Sequence, residues 1–364
     1  MSKLFTPLTM NGLTLPNRIV IPPMDQYSAV DGLATEWHSM HYGHLAVSGA
    51  GLLILEATAV EAAGRISPSD LGLWNDEQEM AHRKMLNFIR KNSRMPIGIQ
   101  LGHAGRKASV ARPWDGKGAL LPEEGGWIVH APSAVEYDAN SPTPIALTPD
   151  DLPPIIKAFA DAATRAHQAG YDLIELHAAH GYLLHQFLSP LTNFRSDGYG
   201  GGLEERMRFP LEVFKAIRAV VPTSIPIGIR VSASDFTEGG WTVEDCIIFA
   251  KVLEGHGCSF IHVSGGGLSP DQKITLAPGY QVSMAARIKA ATKMPTIAVG
   301  LVTEPELAAS IVETDQSDMV AIGRAMLFNP RWPWHAAAKL GISIKNAPRQ
   351  YLRCEPRTAK GLFI

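Results

Sequence analysis

Tyr171-Asp172-Leu173-Ile174-Glu175-Leu176-His177-Ala178-Ala179-His180-Gly181-Tyr182 is a short apolar run that ends in two imidazoles and a phenol. The part Tyr171–His177 has the nearly continuous apolar character of a strand buried on both faces, hence of a parallel strand. Polar residues then crowd the point where the chain leaves it. Seven further runs share this character: Arg18–Met24, Gly51–Val60, Met95–Gly102, Ile225–Ala233, Ser259–Ser264, Met294–Val299 and Met319–Ile322. Between and after them the pattern predicts helices at Glu36–Val47, Glu77–Asn92, Asp151–Ala169, Leu203–Val221, Val243–His256, Ser283–Ala291, Pro305–Glu313 and Trp334–Leu340. Asp76, Asp150, Thr242 and Thr303 are candidate N-caps, and Gly170 and Gly257 stand where C-caps belong. Eight strands, each followed by a helix, predict an α/β fold, a (β/α)8 TIM barrel. A doubly wound open sheet is the alternative. The barrel is favoured because the unusual polar residues cluster just after strand ends, and in a barrel those loops converge on one mouth.

Two segments stand outside the alternation. Leu8–Leu15 reads as a hairpin around Asn11-Gly12, a type I′ turn signal, placed to plug the bottom of the barrel. His103–Leu147 is a long insertion after the third strand, rich in Gly and Pro and carrying Trp114, Trp127 and Tyr137. Structureless loops of this length are uncommon in compact domains. It is therefore expected to be a hairpin-bearing cover over the mouth. Nothing resembles a linker, so one domain is expected over 1–364.

The chain has 364 residues, 46% hydrophobic and 19% charged, which suits a large buried core rather than disorder. A formal net charge of -2 gives no footprint for nucleic acid or an anionic membrane. Cys246, Cys258 and Cys354 are odd in number and far apart, offering no disulfide framework and no CxxC metal pattern. The N-terminus lacks the apolar core of a signal peptide, and no apolar run approaches the roughly 18–20 residues that span a bilayer. A cytoplasmic enzyme is expected.

At the exit of the fourth strand, His177 and His180 can hydrogen-bond an oxygen that gains negative charge, and Tyr182 can deliver a proton nearby. A metal site and simple structural capping by the histidines are the competing uses of the same residues. Other strand ends suit a large, flat, anionic cofactor such as a flavin. Pro22-Pro23-Met24 fixes the backbone after the first strand. Gln100 offers donors and an acceptor to a pyrimidine edge. Arg230 is a cation inside a strand, fit for a reduced flavin's N1–O2 edge, or else paired with Glu56 or Glu175. Gly300-Leu301 after the seventh strand and Gly323-Arg324 after the eighth form a candidate phosphate cradle, since barrels often bind phosphate there. Gly265-Gly266-Gly267 is either a further cofactor loop or a flexible turn.

The chain resembles the Old Yellow Enzymes, in particular the thermophilic-like subclass that includes xenobiotic reductases. The resemblance covers nearly the whole chain. It rests on Asn17–Met24, Gly49–Val60, Gln100–Lys107, His177–Tyr182, Ser196–Gly201 and Val299–Leu301. It implies FMN across the barrel mouth, with Pro22, Pro23, Met24, Asp25, Ala57, Gln100 and Arg230 against the ring system and Gly323 with Arg324 on the phosphate. It also implies that His177 and His180 grip a substrate oxygen, that Tyr182 gives the proton and that Tyr27 orients the substrate. NADPH or NADH would reduce the flavin, leave, and make way for a small α,β-unsaturated substrate such as an enone, maleimide or nitroalkene, a ping-pong scheme. Nitro-ester, xenobiotic or quinone reduction on the same flavin is the alternative. A metal-dependent barrel hydrolase and a non-catalytic flavin barrel are the rivals from other classes. A homodimer or homotetramer is expected.

The sequence departs from that family at two places. Asp25 stands where the subclass usually has cysteine. At about 5 Å and an effective dielectric near 20, its charge would oppose an anionic reduced flavin by on the order of 3 kcal/mol. That is roughly 70 mV of lowered potential relative to Asp25→Cys, as an upper bound. Proton uptake by Asp25, or its turning into solvent, would erase the effect. Trp334 falls where some members send an arginine into a neighbouring subunit's site; Tyr351–Arg353 is the remaining segment able to do so.

Overall fold

The apolar runs become strands because each is flanked by turn or cap residues and is rich in β-branched side chains. The computed structural model describes residues 2–116, 118–345 and 347–364. A hairpin, β1 (Leu8–Met10) and β2 (Leu13–Leu15), precedes the barrel strands β3 (Ile19–Ile21), β4 (Leu52–Ala59) and β5 (Ile97–Gly102). Two short strands, β6 (His130–Ala131) and β7 (Ile145–Ala146), lie in the insertion. The barrel resumes with β8 (Leu173–Ala178), β9 (Ile227–Ser232), β10 (Ile261–Ser264), β11 (Thr296–Ala298) and β12 (Met319–Ala321). The eight barrel strands close into one parallel cylinder, β12 pairing with β3. Helices α1 (Glu36–Ala46), α2 (Asp76–Arg90), α3 (Leu152–Ala169), α4 (Leu183–Leu188) and α5 (Leu203–Val220) follow in chain order. They are succeeded by α6 (Val243–Gly255), α7 (Val282–Ala291), α8 (Pro305–Glu313), α9 (Arg324–Phe328) and α10 (Trp332–Lys339). No helix among the described residues is long and apolar enough to cross a membrane.

Alternation along each strand divides the core into two populations. Leu53, Leu55, Ile97, Ile99, Ile174, Leu176, Ile229 and Val263 pack outward against the helices. Val20, Leu52, Ile54, Leu173, Phe260 and Ile297 form a separate cluster inside the barrel, closed from below by Met10 and Leu15 of the hairpin. The ring of Phe260 needs Gly228 beside it, because a Cβ there would lie 2.4 Å from the ring. Higher in the interior the apolar filling stops and Gln100, Glu175, Arg230 and His262 take its place, all buried. The apolar floor and the polar upper tier set where chemistry can happen.

Several expectations are corrected. The strands are one to four residues shorter than the apolar runs, because their edges are paired loops rather than ladder. Helix α2 is capped by Asn75, whose side chain accepts from Gln78 N, rather than by Asp76. Asp150 lies in a 3-10 turn, Pro149–Asp151, and Glu304, not Thr303, precedes α8. Thr242 caps α6 as expected, and Gly170 ends α3 at φ 101°. At the hairpin tip Asn11 is left-handed (φ 45°) but Gly12 is not, so the turn is not type I′. The insertion contains no regular hairpin among its described residues. It holds the parallel pair β6–β7 and an isolated antiparallel bridge, Val110 to Ala119. Helices α4 and α9 have no expected counterpart: every residue of α4 is buried, leaving no polar face to give a period, and α9 is too short. Trp334 is buried in the C-terminal tail against Tyr351 and Phe363, with Arg331 over its ring.

The plug makes a direct prediction. Leu15→Ala empties a fully buried site at the barrel floor. It should cost about 2–5 kcal/mol, the range for buried leucine truncations, visible as a lowered urea midpoint with intact near-native circular dichroism.

Candidate active site

The loops after the barrel strands bring together most of the residues singled out from the sequence. His177 is the next-to-last residue of β8. Its Nδ1 accepts from Ala179 N at 3.2 Å, so the proton of the neutral ring is on Nε2. His180 follows in a left-handed conformation (φ 58°), its backbone N–H held by Ser232 Oγ at 2.9 Å. Its Nε2 lies 2.8 Å from Ser264 Oγ. The two imidazoles meet edge to face at 5.2 Å, and Tyr182 meets His177 in the same way at 4.9 Å. Burial, then the Arg230 cation, holds both imidazoles well below their ordinary range. They are neutral at pH 7 and so are donors without charge. Burial, then Asp25, lifts the Tyr182 phenol well above its ordinary value, so it keeps its proton at pH 7. Among the described residues no group of three or more His, Cys, Asp or Glu is arranged to hold a metal ion.

Behind this group sits the polar tier. Gln100 Nε2 donates to Glu175 Oε1 at 2.7 Å, and His262 Nδ1 lies 2.9 Å from Glu175 Oε2. Both carboxylate oxygens are thereby used. Arg230, opposite His177 and His262 in the sheet register, is buried, and among the described residues its Nε has no partner. The alternative pairing of Arg230 with Glu56 or Glu175 does not occur: Glu56 lies 3.5 Å from His38, and Glu175 is taken by His262. Among the described residues, a cation with no hydrogen-bonded carboxylate and a Gln100 carbonyl free of protein partners match the N1–O2 edge and the N3–H of a flavin pyrimidine.

The rim completes the picture. A bulge between Leu55 and Ala57 turns the Ala57 N–H to Asp25 Oδ1 at 3.2 Å. The same bulge lets Glu56 accept from Tyr42 Oη (2.6 Å) and Gln26 N (2.9 Å). Asp25 does not turn into solvent. Burial, then the nearby Asp70 carboxylate, pushes its carboxyl up to about 7, against the Ala57 N–H and Arg230, which favour its charge. Asp70, held by Ser67 Oγ and Ile66 N at 2.6 Å each, is itself pushed up to about 6, mainly by burial. Tyr27 is left-handed (φ 49°) and stands edge-on to Trp114 of the insertion at 5.9 Å. On the opposite rim, Pro22 and Met24 each lie 3.6 Å from where a Gly323 Cβ would be, so the loops after β3 and β12 touch. Gly300 (φ 127°) and Leu301 (φ 53°) carry the left-handed backbone after β11. Among the described residues, no hydrogen bond uses the backbone N–H of Leu301, Gly323 or Arg324. Free amides beside an unpaired arginine are what a phosphate requires. The residues present therefore fit FMN.

Four participants carry no sequence-derived role: Asp70, His262, Ser264 and Lys107. His262 and Ser264 share a strand whose polar positions alternate with apolar ones, a signal that the barrel interior turns polar there. Asp70 and Lys107 come from loops, where spacing says nothing about what they meet.

A parallel barrel with a neutral donor pair, a proton-bearing phenol and an unpaired cation over a polar floor defines a flavin-dependent oxidoreductase. The family described as NADH:flavin oxidoreductase / NADH oxidase matches residues 3–342, and the chain belongs to it, among the Old Yellow Enzymes. An NADPH dehydrogenase of Geobacillus thermodenitrificans is 43% identical over 96% of this chain and 98% of its own length. An NADPH dehydrogenase of Listeria monocytogenes is 44% identical over 97% and 99%. Among solved structures, morphinone reductase superposes with a TM-score of 0.78 at 28% identity, covering 100% of this chain and 96% of that one. An Old Yellow Enzyme homologue from Zymomonas mobilis gives 0.77 at 25%, covering 94% of each. The chain is an NAD(P)H-dependent flavin oxidoreductase that uses FMN and acts on small molecules.

The Asp25 carboxyl yields a pH-dependent prediction. Below its raised value it is a neutral acid; above it, a carboxylate that opposes an anionic reduced flavin. The potential of the wild type should match that of Asp25→Asn at about pH 5.5 and fall below it as pH rises through 7, by at most roughly 70 mV. Redox titration at both ends of the range checks this; a gap of constant size would refute it.

Proposed function

We propose that the chain is an ene-reductase that saturates an activated carbon–carbon double bond in an enone, maleimide or nitroalkene. FMN, when bound and reduced by NADPH or NADH, would supply the hydride to the β-carbon. The protein's part is to polarise the substrate and to deliver a proton. His177 Nε2–H and the His180 ring grip the carbonyl or nitro oxygen, which gains charge as the hydride arrives. Their neutrality matters, since a donor that binds the developing anion without a fixed charge does not lock the product in place. Tyr182 gives its phenolic proton to the α-carbon, and Tyr27 orients the substrate beneath Trp114. Pro22, Pro23, Met24, Asp25, Ala57, Gln100 and Arg230 hold the flavin ring; Gly300, Leu301, Gly323 and Arg324 hold its phosphate. The observation that carries this reading is the fixed tautomer of His177, which leaves one N–H free beside a protonated phenol. Reduction of nitro-esters or quinones would use the same flavin and the same oxygen grip but no proton from Tyr182.

The protein is further read as cytoplasmic, with Cys246 and Cys258 buried as free thiols. It is also read as a homodimer or homotetramer joined through its C-terminal end, where Leu327, Phe328, Tyr351 and Leu352 are exposed.

Stopped-flow reoxidation of the reduced protein with 2-cyclohexenone tests the proton assignment. Tyr182→Phe should slow alkene saturation by about 10²–10⁴-fold, the usual worth of a general acid, while flavin reduction by NADPH stays intact. Unchanged alkene saturation in this variant would assign the proton elsewhere.

A further inference from the structure

Lys107 closes the short 3-10 turn Gly105–Lys107 that follows β5, and it reaches the loops after the neighbouring strand β8 and after β10, which lies beyond β9. Its Nζ donates to His180 O at 2.8 Å and to Gly267 O at 2.9 Å. These two carbonyls flank a seam at which no side chain fits. A Cβ on Gly267 would come within 2.6 Å of His180 Cα, and one on Gly181 within 2.3 Å of Gly267 O. Lys107 is the side chain that bridges this seam, and it bears directly on the left-handed backbone of His180. The same ammonium lies 5.1 Å from the centre of the Tyr182 ring and 4.7 Å from that of Tyr137. Its two hydrogen-bond acceptors are neutral carbonyls, and none of its partners among the described residues is a carboxylate. Burial, then Arg106, brings it down to about 8, so at pH 7 it remains mostly an ammonium. An uncompensated cation next to an acid is placed where the acid becomes an anion.

We propose that Lys107 is a positioning residue for the protonation step: its ammonium, held in place by the His180 and Gly267 carbonyls, stabilises the negative charge left on Tyr182 when the phenol gives up its proton. This rests on the proposed role of Tyr182 as donor. In that step the phenolic O–H bond breaks, a C–H bond forms at the α-carbon, and the electron pair stays on the phenolic oxygen until water reprotonates it. Lys107 transfers nothing. Burial above all, then Asp25, Tyr27, Asp70 and Tyr137, disfavours an anion on Tyr182; Arg230 acts on the phenol as a second cation, and Arg106 stands behind Lys107 over the Tyr137 ring at 5.8 Å. Against the groups that hinder ionisation, the ammonium over the ring is a counterweight beside Arg230. Lysine serves here better than arginine, because a compact point charge with three donors can hold two carbonyls and still face the ring.

The test uses the FMN-loaded protein and 2-cyclohexenone in single-turnover reoxidation between about pH 6 and pH 10, with Lys107→Met, Lys107→Arg, Tyr182→Phe and the Lys107→Met/Tyr182→Phe double variant. Lys107→Met should slow alkene saturation on the order of tenfold at pH 7, a fraction of the whole general-acid contribution, and leave reduction by NADPH unchanged. The wild-type rate should fall as Lys107 loses its proton near pH 8, and Lys107→Met should lack this alkaline limb. A merely loosened loop would slow the step and leave that limb in place. The double variant should lose no more than Tyr182→Phe alone, and Lys107→Arg should recover part of the rate. Multiplying losses in the double variant, or an alkaline limb that stays in place, would overturn the proposal. If Tyr182→Phe itself saturates the alkene normally, the donor assignment fails, and with it the role of Lys107; a slow Tyr182→Phe with a normal Lys107→Met overturns the lysine alone. Visible absorbance of bound FMN and near-ultraviolet circular dichroism of each variant show that the fold is retained.

Discussion

A buried guanidinium with no hydrogen-bonded anion is costly, and among the described residues the Arg230 Nε has no partner. Taking a charge out of water costs several kcal/mol unless a partner compensates it. Glu175 and Asp25 act on Arg230 only through space, because Glu175 is hydrogen-bonded to Gln100 and His262, Asp25 to Ala57 N, and Glu56 to Tyr42 and Gln26 N. The upper interior of the barrel is arranged around that unmet charge. In the proposed reading a flavin supplies the missing acceptor, most strongly when it is reduced and anionic. Burial first, and then the same cation, lowers the basicity of His177 and His180, so in the proposed reading one residue that favours the reduced cofactor also helps keep the oxygen-gripping imidazoles neutral.

The apolar floor is the other half of the design. Met10 and Leu15 seal the cylinder from below, and Phe260, fitted over Gly228, fills its width. Nothing polar is needed until the height of Gln100 and Glu175. All the groups above that height come from strand ends or the loops that leave them, which in this topology open on one face. Several sit in left-handed backbone, Tyr27, His180 and Leu301 among them. Such positions cost energy and persist where surrounding contacts over-determine them, as Ser232, Lys107 and the Gly267 seam do for His180.

The barrel was legible because burial on both faces writes itself into sequence: runs such as Leu52–Leu55 and Ile227–Ile229 have no polar side to confuse the period. Their ends were less legible, since strand pairing stops before apolar character does. The imidazole pair and the phenol were readable from their crowding at a strand exit, and the two glycine turns after β11 and β12 from their place in the order. Residues acting across loops were not. Lys107 lay within a segment that carried the family resemblance, yet its carbonyl partners are 73 and 160 positions away. Asp70 also comes from a separate loop from Asp25, and no spacing rule connects them. His262 was within reach, because polar residues alternate along β10. A run wholly buried, such as α4, leaves no polar face, and its helix went unread for that reason.

The central physical claim is that the Arg230 charge is completed by the cofactor. Measuring the FMN midpoint potential in Arg230→Met against wild type tests it most directly. The account requires a lower potential in the variant, because the reduced, anionic flavin loses more than the oxidised one when the guanidinium is gone. An unchanged potential, with FMN still bound, would contradict it.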